Sequence, residues 1–136
     1  MREALREIRP PVAIQVAGDG EEALRFLYGD SEEDRGARPD LIFLDFNLPK
    51  CDSRELLRQI KEDAHLRHIP VAVLTTSDSE KDVRKAYELH ANCYLRKPVD
   101  LDSFFNTIRV AAHFWLEVAY TPADLREDAP ANSRLL

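Results

Sequence analysis

Asp40-Leu41-Ile42-Phe43-Leu44-Asp45-Phe46-Asn47-Leu48-Pro49 is the stretch whose reading decides the fold. Four apolar residues of high strand propensity, Leu41 to Leu44, run straight into the carboxylate of Asp45. Phe46-Asn47-Leu48-Pro49 then breaks the strand. A short unbroken apolar run bounded by turn residues fits a strand buried on both faces of a parallel sheet. In open α/β sheets ligands sit outside the carboxyl ends of such strands, which is where Asp45 falls. Two further runs end in chemistry. Val71-Ala72-Val73-Leu74 leads into Thr75-Thr76, and Cys93-Tyr94-Leu95 leads into Arg96-Lys97-Pro98. An acid, a hydroxyl and an ammonium at three successive strand ends make a phosphate-handling set.

Strand and helix alternate on either side of this core. Met1, Ala4, Leu5 and Ile8 keep the i, i+3, i+4, i+7 spacing of an amphipathic helix, which Pro10-Pro11 ends. Val12, Ile14 and Val16 alternate with Ala13 and Gln15 as a strand does. Gly18-Asp19-Gly20 predicts a turn. Glu21-Glu22 then open a helix, acids being favourable at its positive end, with Ala23, Leu24, Leu27 and Tyr28 as its apolar stripe. Residues 29–39, including the acidic stretch Glu32–Asp34, read as a polar loop. A helix from Ser53 turns Leu56, Leu57 and Ile60 inward, and one from Ser79-Glu80 to Leu89 carries Val83, Ala86 and Tyr87 on one side. Asp100 or Asp102 caps a long last helix, where Phe104, Ile108, Ala111 and Trp115 share a stripe with Phe105, Ala112 and Leu116 beside it. The alternation predicts an α/β domain over residues 1–120, its parallel sheet covered on both faces and its crossovers right-handed. Residues 121–136 are expected to form a loose tail.

The totals set bounds on function. One domain of 136 residues, 44% apolar and 32% charged, is globular in composition. A net charge of −6 gives a field that does not favour nucleic acid. Cys51 and Cys93 match neither a metal site nor a disulfide framework and fit a reducing compartment. The N-terminus is charged rather than a signal peptide, and no apolar run reaches the ~20 residues of a membrane span. A cytoplasmic location is therefore expected. Gly18, Gly20, Gly29 and Gly36 form no phosphate loop.

Taken together, Phe43-Leu44-Asp45-Phe46-Asn47-Leu48-Pro49, Val73-Leu74-Thr75-Thr76-Ser77 and Cys93-Tyr94-Leu95-Arg96-Lys97-Pro98 resemble the receiver domain of two-component response regulators in motif type, order and separation. The resemblance covers about residues 1–118. Ala86-Tyr87-Glu88-Leu89-His90-Ala91-Asn92-Cys93-Tyr94 and Phe114-Trp115-Leu116-Glu117 further resemble the small single-domain regulators of cyanobacterial and bacterial phytochrome kinases. The resemblance implies a flavodoxin-like fold and a phosphoacceptor role in a phosphorelay rather than an enzyme acting on a metabolite. It implies that Asp45 takes a phosphoryl group from a histidine kinase, and that Thr75 and Lys97 hold phosphoryl oxygens. It also implies that Tyr94 changes rotamer with Thr75, that Asp45 and the Asn47 backbone carbonyl serve Mg²⁺, and that Lys97-Pro98 is a cis peptide. Physics supports the set independently. A carboxylate attacking a phosphoryl group meets like charge, which a cation, a hydroxyl and a metal ion offset.

Against that family pattern, the usual first strand and its acidic pair are missing ahead of Met1–Ile8. The expectation is an incomplete Mg²⁺ site, with weak metal binding and poor phosphorylation of the chain as written. A further expectation is a slot of about 10 Å beside the Asp45 strand, filled if the Val12–Val16 strand shifts inward, if a second chain donates a strand, or if the chain belongs to a longer protein. Phe104, Phe105, Phe114, Trp115 and Leu116 exceed what one helix face requires for a core and suggest a homodimer through the last helix. With no output domain after residue 120, signalling is expected through protein contact. Two alternatives stand: a degenerate receiver acting only as a protein-binding module, and a haloacid-dehalogenase-like phosphatase. The second lacks its acid, because Asn47 stands where a second Asp belongs. His65 and His68 are spaced like ligands, but no third ligand is evident.

Overall fold

Leu41 to Leu44 and Val71 to Leu74 do form the heart of a parallel sheet. A computed structural model describes residues 12–29, 38–47, 52–77, 79–122 and 133–135; the helix expected at Met1–Ile8 and the Glu32–Asp34 loop lie outside them. In chain order the elements are β1 (Val12–Ile14), α1 (Gly20–Tyr28), β2 (Ile42–Asp45), α2 (Ser53–Glu62), β3 (Val71–Thr75), α3 (Glu80–Glu88), β4 (Cys93–Arg96), α4 (Leu101–His113) and β5 (Ser133–Leu135). A π-helical turn, Phe114–Val118, continues α4. Strands β2, β3 and β4 pair in parallel in that order. The register sets Asp45 opposite Leu74 and Thr75 opposite Arg96, so the three chemical strand ends finish on one edge of the sheet.

The unbroken apolar runs are explained by a core on each face of this sheet. Ile42, Leu44, Val71 and Val73 face α1, α2 and α3 through Leu27, Leu56, Leu57, Ile60 and Ala86. Leu41, Phe43, Ala72 and Leu74 face α4 through Ile108, Ala111 and Ala112. Successive strand residues point to opposite faces, so covering both faces requires every position to be apolar. Side-chain caps fix the helix starts. Asp19, Asp52 and Asp100 each accept an amide N–H from the first turn of α1, α2 and α4, and Asp100 rather than Asp102 is the cap. Helix α1 starts at Gly20, one residue before the expected Glu21, because Asp19 caps it by accepting the Glu22 amide three residues ahead. It ends at Gly29, whose φ of 66° suits a residue without a Cβ.

At the opposite edge of the sheet, Lys61 ties α2 to two loops. Its Nζ donates to the carbonyl oxygens of Arg67 and Ile69 and to Oδ1 of Asn92, at 3.0, 2.7 and 2.9 Å. Asn92 also closes the start of β3 through the Val71 amide at 2.8 Å. Burial brings the Lys61 pKa down to about 8.

Three expectations change here. Strand β1 does not move across to pair with β2; its partner is β5, in parallel, with Val12 opposite Ser133 and Ile14 opposite Leu135. Ser133–Leu135 is accordingly a strand inside the region expected to be a loose tail. The aromatic excess on the last helix is also smaller than the sequence suggests. Phe104, Phe105, Trp115 and Leu116 are half-buried and pack on the α4-side core. Phe114 is the exposed member at 48%, and it continues an outer apolar row with Val110 and Val118.

Candidate functional site

Each component of the site is delivered by a strand end and trimmed by the loop after it. Asp45 closes β2 with its side chain 29% exposed, and Lys97, 21% exposed, follows β4. Lys97 Nζ lies 2.6 Å from Asp45 Oδ2 although 52 residues separate them in the chain. The other carboxylate oxygen, Oδ1, accepts the Asn47 amide at 2.7 Å, an Asx turn that orients the carboxylate. The Lys97 backbone N–H donates to the Thr75 carbonyl at 2.7 Å, which locks the β4 exit to the end of β3.

Thr75 closes β3 and is only 3% exposed. Its Oγ1 accepts the Ser77 amide at 3.1 Å. Tyr94 on β4 reaches the same loop, its hydroxyl donating to the Ser77 carbonyl at 2.7 Å. The sequence-derived set of Asp45, Asn47, Thr75, Tyr94 and Lys97 is therefore gathered at one end of the sheet. Within it, Asp45 and Lys97 touch directly, while Thr75 and Tyr94 meet through Ser77.

Five groups escaped sequence reasoning. Ser53, 3% exposed, donates from Oγ to the Asp45 carbonyl at 2.6 Å and so ties the start of α2 to the end of β2. The Asn47 side chain accepts the Thr76 amide through Oδ1 at 2.9 Å and bridges two active-edge loops. Ser77 donates from Oγ to Asp82 at 2.6 Å, and Asp82 meets Arg54 at 3.5 Å. Ser53 and Ser77 look like ordinary helix-start and turn serines in the sequence; only their contacts distinguish them.

As a metal site the edge offers hard oxygen donors, the Asp45 carboxylate and the backbone carbonyl of Asn47, which suit Mg²⁺ in kind. Among the described residues there is no group of three His, Cys, Asp or Glu that could hold a metal ion, so His65 and His68 form no centre there. Cys93 is a free thiol whose pKa is raised by burial, as befits a packing residue.

A parallel sheet with a carboxylate, a lysine and a buried hydroxyl at its carboxyl edge defines a receiver. Residues 1–109 match the model of the response regulator receiver domain, and the chain belongs to that family. Response regulator Rcp1 of Synechocystis sp. is 49% identical over 105 residues, 77% of this chain and 71% of its own length. Among solved structures, the phosphorylated cyanobacterial phytochrome response regulator RcpA superposes with a TM-score of 0.81 at 43% identity, covering 89% of this chain and 86% of that one. The Mn(2+)-bound form of response regulator Rcp1 gives a TM-score of 0.79, also at 43% identity, over 89% and 87% of the two chains. The flavodoxin-like receiver fold and the response-regulator assignment hold, and the phosphatase alternative loses its ground. Among the described residues no helix is long and apolar enough to cross a membrane.

Proposed function

We propose that Asp45 is the phosphoacceptor of a phosphorelay, receiving its phosphoryl group from the phosphohistidine of a histidine kinase. The observation that carries this is the 2.6 Å contact between Lys97 Nζ and Asp45 Oδ2 at the ligand-binding edge. In the transfer a carboxylate oxygen of Asp45 forms the new O–P bond as the N–P bond to the donor imidazole breaks. The imidazole leaves with the electron pair. Lys97 offsets the charge on the phosphoryl oxygens, and the Thr75 hydroxyl supplies a donor from the next strand. Bound Mg²⁺ would neutralise phosphoryl oxygens further, held by the Asp45 carboxylate and the Asn47 carbonyl.

The partners follow from the same reading. Likeness to Rcp1 and to the phytochrome regulator RcpA supports a phytochrome-type kinase as donor. The outer row Val110, Phe114 and Val118 supports a homodimer built on α4. Light scattering of Phe114→Glu should report monomer where the unaltered chain reports dimer; an unaltered chain that is already monomeric removes this part.

Intact-mass measurement after incubation with acetyl phosphate and Mg²⁺ tests the central assignment. One phosphoryl group per chain is expected, accumulating slowly, and Asp45→Asn should carry none. An adduct that persists in Asp45→Asn, or never forms on the unaltered chain at high Mg²⁺, defeats it.

A further inference from the structure

The peptide unit that follows Asp45 is gripped from both sides. In a trans peptide the C=O and the N–H point in opposite directions. The N–H of this unit, on Phe46, donates across to the Leu74 carbonyl of β3 at 2.8 Å. Its C=O, on Asp45, therefore points away from β3. Strand β2 is an end strand of the described three-stranded sheet, so that direction leads off the ladder. There the Ser53 hydroxyl donates to the Asp45 carbonyl at 2.6 Å. Ser53 is 3% exposed and opens α2. The same helix start is fastened separately by Asp52, whose Oδ1 accepts the Glu55 amide at 3.2 Å. Just past the gripped peptide, the Asn47 amide donates to Asp45 Oδ1 at 2.7 Å, and Lys97 Nζ meets Oδ2 at 2.6 Å.

We infer that Ser53 is a positioning residue for the Asp45 carboxylate: its hydroxyl does for the edge of β2 what a ladder donor does inside a sheet, and so sets the pose from which the carboxylate reacts. The inference rests on the proposed role of Asp45 as acceptor. The Asn47 amide that orients Oδ1 is carried by the same chain, one peptide beyond Asp45–Phe46. It is only as fixed as the peptide before it. With Ser53 in place that peptide has a bond on each side and cannot tilt. Without Ser53 it pivots on its single bond to Leu74, the Asx turn carries Oδ1 with it, and the carboxylate turns relative to Lys97. Burial of Ser53 leaves little room for water to take over the bond. Phosphoryl transfer depends on placement of the reacting oxygen more than on any other protein contribution except charge, so the pose has kinetic weight.

Carbon NMR of the unphosphorylated chain reads the bond and the pose without any phosphoryl group. Ser53→Ala should move the Asp45 backbone carbonyl signal upfield, as loss of its donor requires, and shift the Asp45 Cγ signal with it. Ser53→Cys is close in size and a much weaker donor, so it should do the same, and it serves if the Ala chain folds poorly. Asp52→Ala removes the other fastening of the α2 start and should leave both Asp45 signals in place. With acetyl phosphate and Mg²⁺, the Ser53 variants should take the phosphoryl group about tenfold more slowly, the scale of a small misplacement of a reacting group. Asp52→Ala should keep the unaltered rate. An unmoved carbonyl signal in the Ser53 variants overturns the bond. An unmoved Cγ signal, an unchanged rate, or an equal loss of rate in Asp52→Ala overturns the positioning role. An unaltered chain that takes no phosphoryl group counts against Asp45 as acceptor; the carbonyl and Cγ signals then still decide whether Ser53 sets the carboxylate.

Discussion

Replacing Lys97 by Met is expected to slow phosphorylation of Asp45 by about 10²–10³-fold, the usual effect of removing one preorganised charge-stabilising group. In the unmodified protein Lys97 pairs with Asp45, 2.6 Å away. In the proposed transfer phosphoryl oxygens reach that carboxylate, and the ammonium is already in place to meet them. Met keeps the length and apolar stem of the side chain and removes the charge. The fold should tolerate the change, because the Asp45 side chain is 29% exposed and water can replace the lost partner. The time course of adduct formation by intact mass, set beside a thermal melt, separates the two effects. A slow variant with an unchanged midpoint places Lys97 in the chemistry. Phosphorylation at the unaltered rate would mean that the 2.6 Å contact is only a surface ion pair.

Leu57→Ala should be strongly damaging on the α1–α3 side of the sheet, costing about 3 kcal/mol, within the range found for buried Leu truncations. Leu57 is fully buried on α2 in the cluster that contains Leu27, Ile42, Leu44, Ile60 and Val73. Its neighbours come from a helix and two hydrogen-bonded strands, which restricts collapse into the void. At about 4 °C per kcal/mol for a domain of this size, the midpoint should fall by about 12 °C. Leu101→Ala is the contrast. Leu101 is 63% exposed at the start of α4, and its truncation should stay within about 0.5 kcal/mol. A Leu57→Ala midpoint within a few degrees of the unaltered protein would contradict the assignment of this side of the core.

The legible parts of the chain were those where a local signal and the tertiary answer coincide. Leu41–Leu44 and Val71–Leu74 are continuous apolar runs because helices cover both faces of the sheet, so composition alone reveals burial. Asp45 and Thr75 were visible because each directly follows such a run, and Lys97 because it comes just after the shorter run Cys93–Leu95 and before Pro98. The helix starts at Asp19, Asp52 and Asp100 carry the short polar side chains that caps require. What stayed hidden depends on partners distant in sequence. Ser133-Arg134-Leu135 has no strand pattern of its own and becomes a strand through its pairing with β1. Helical spacing assigned Phe104, Phe105, Trp115 and Leu116 to a surplus, because it counts apolar positions without knowing how much core α4 and the turn after it must cover.

The amino-acid order by itself determined that a carboxylate, a hydroxyl and an ammonium would each sit at the end of a parallel strand, since apolar runs and their breakers are properties of adjacent residues. The tertiary structure alone decided which of those groups touch. Lys97 meets Asp45 across 52 residues, while Thr75 is held by Ser77, and Ser77 by Asp82. Hydrogen bonds and ion pairs act over a few ångströms in space. Strand register and helix placement set those distances once the whole sheet has formed.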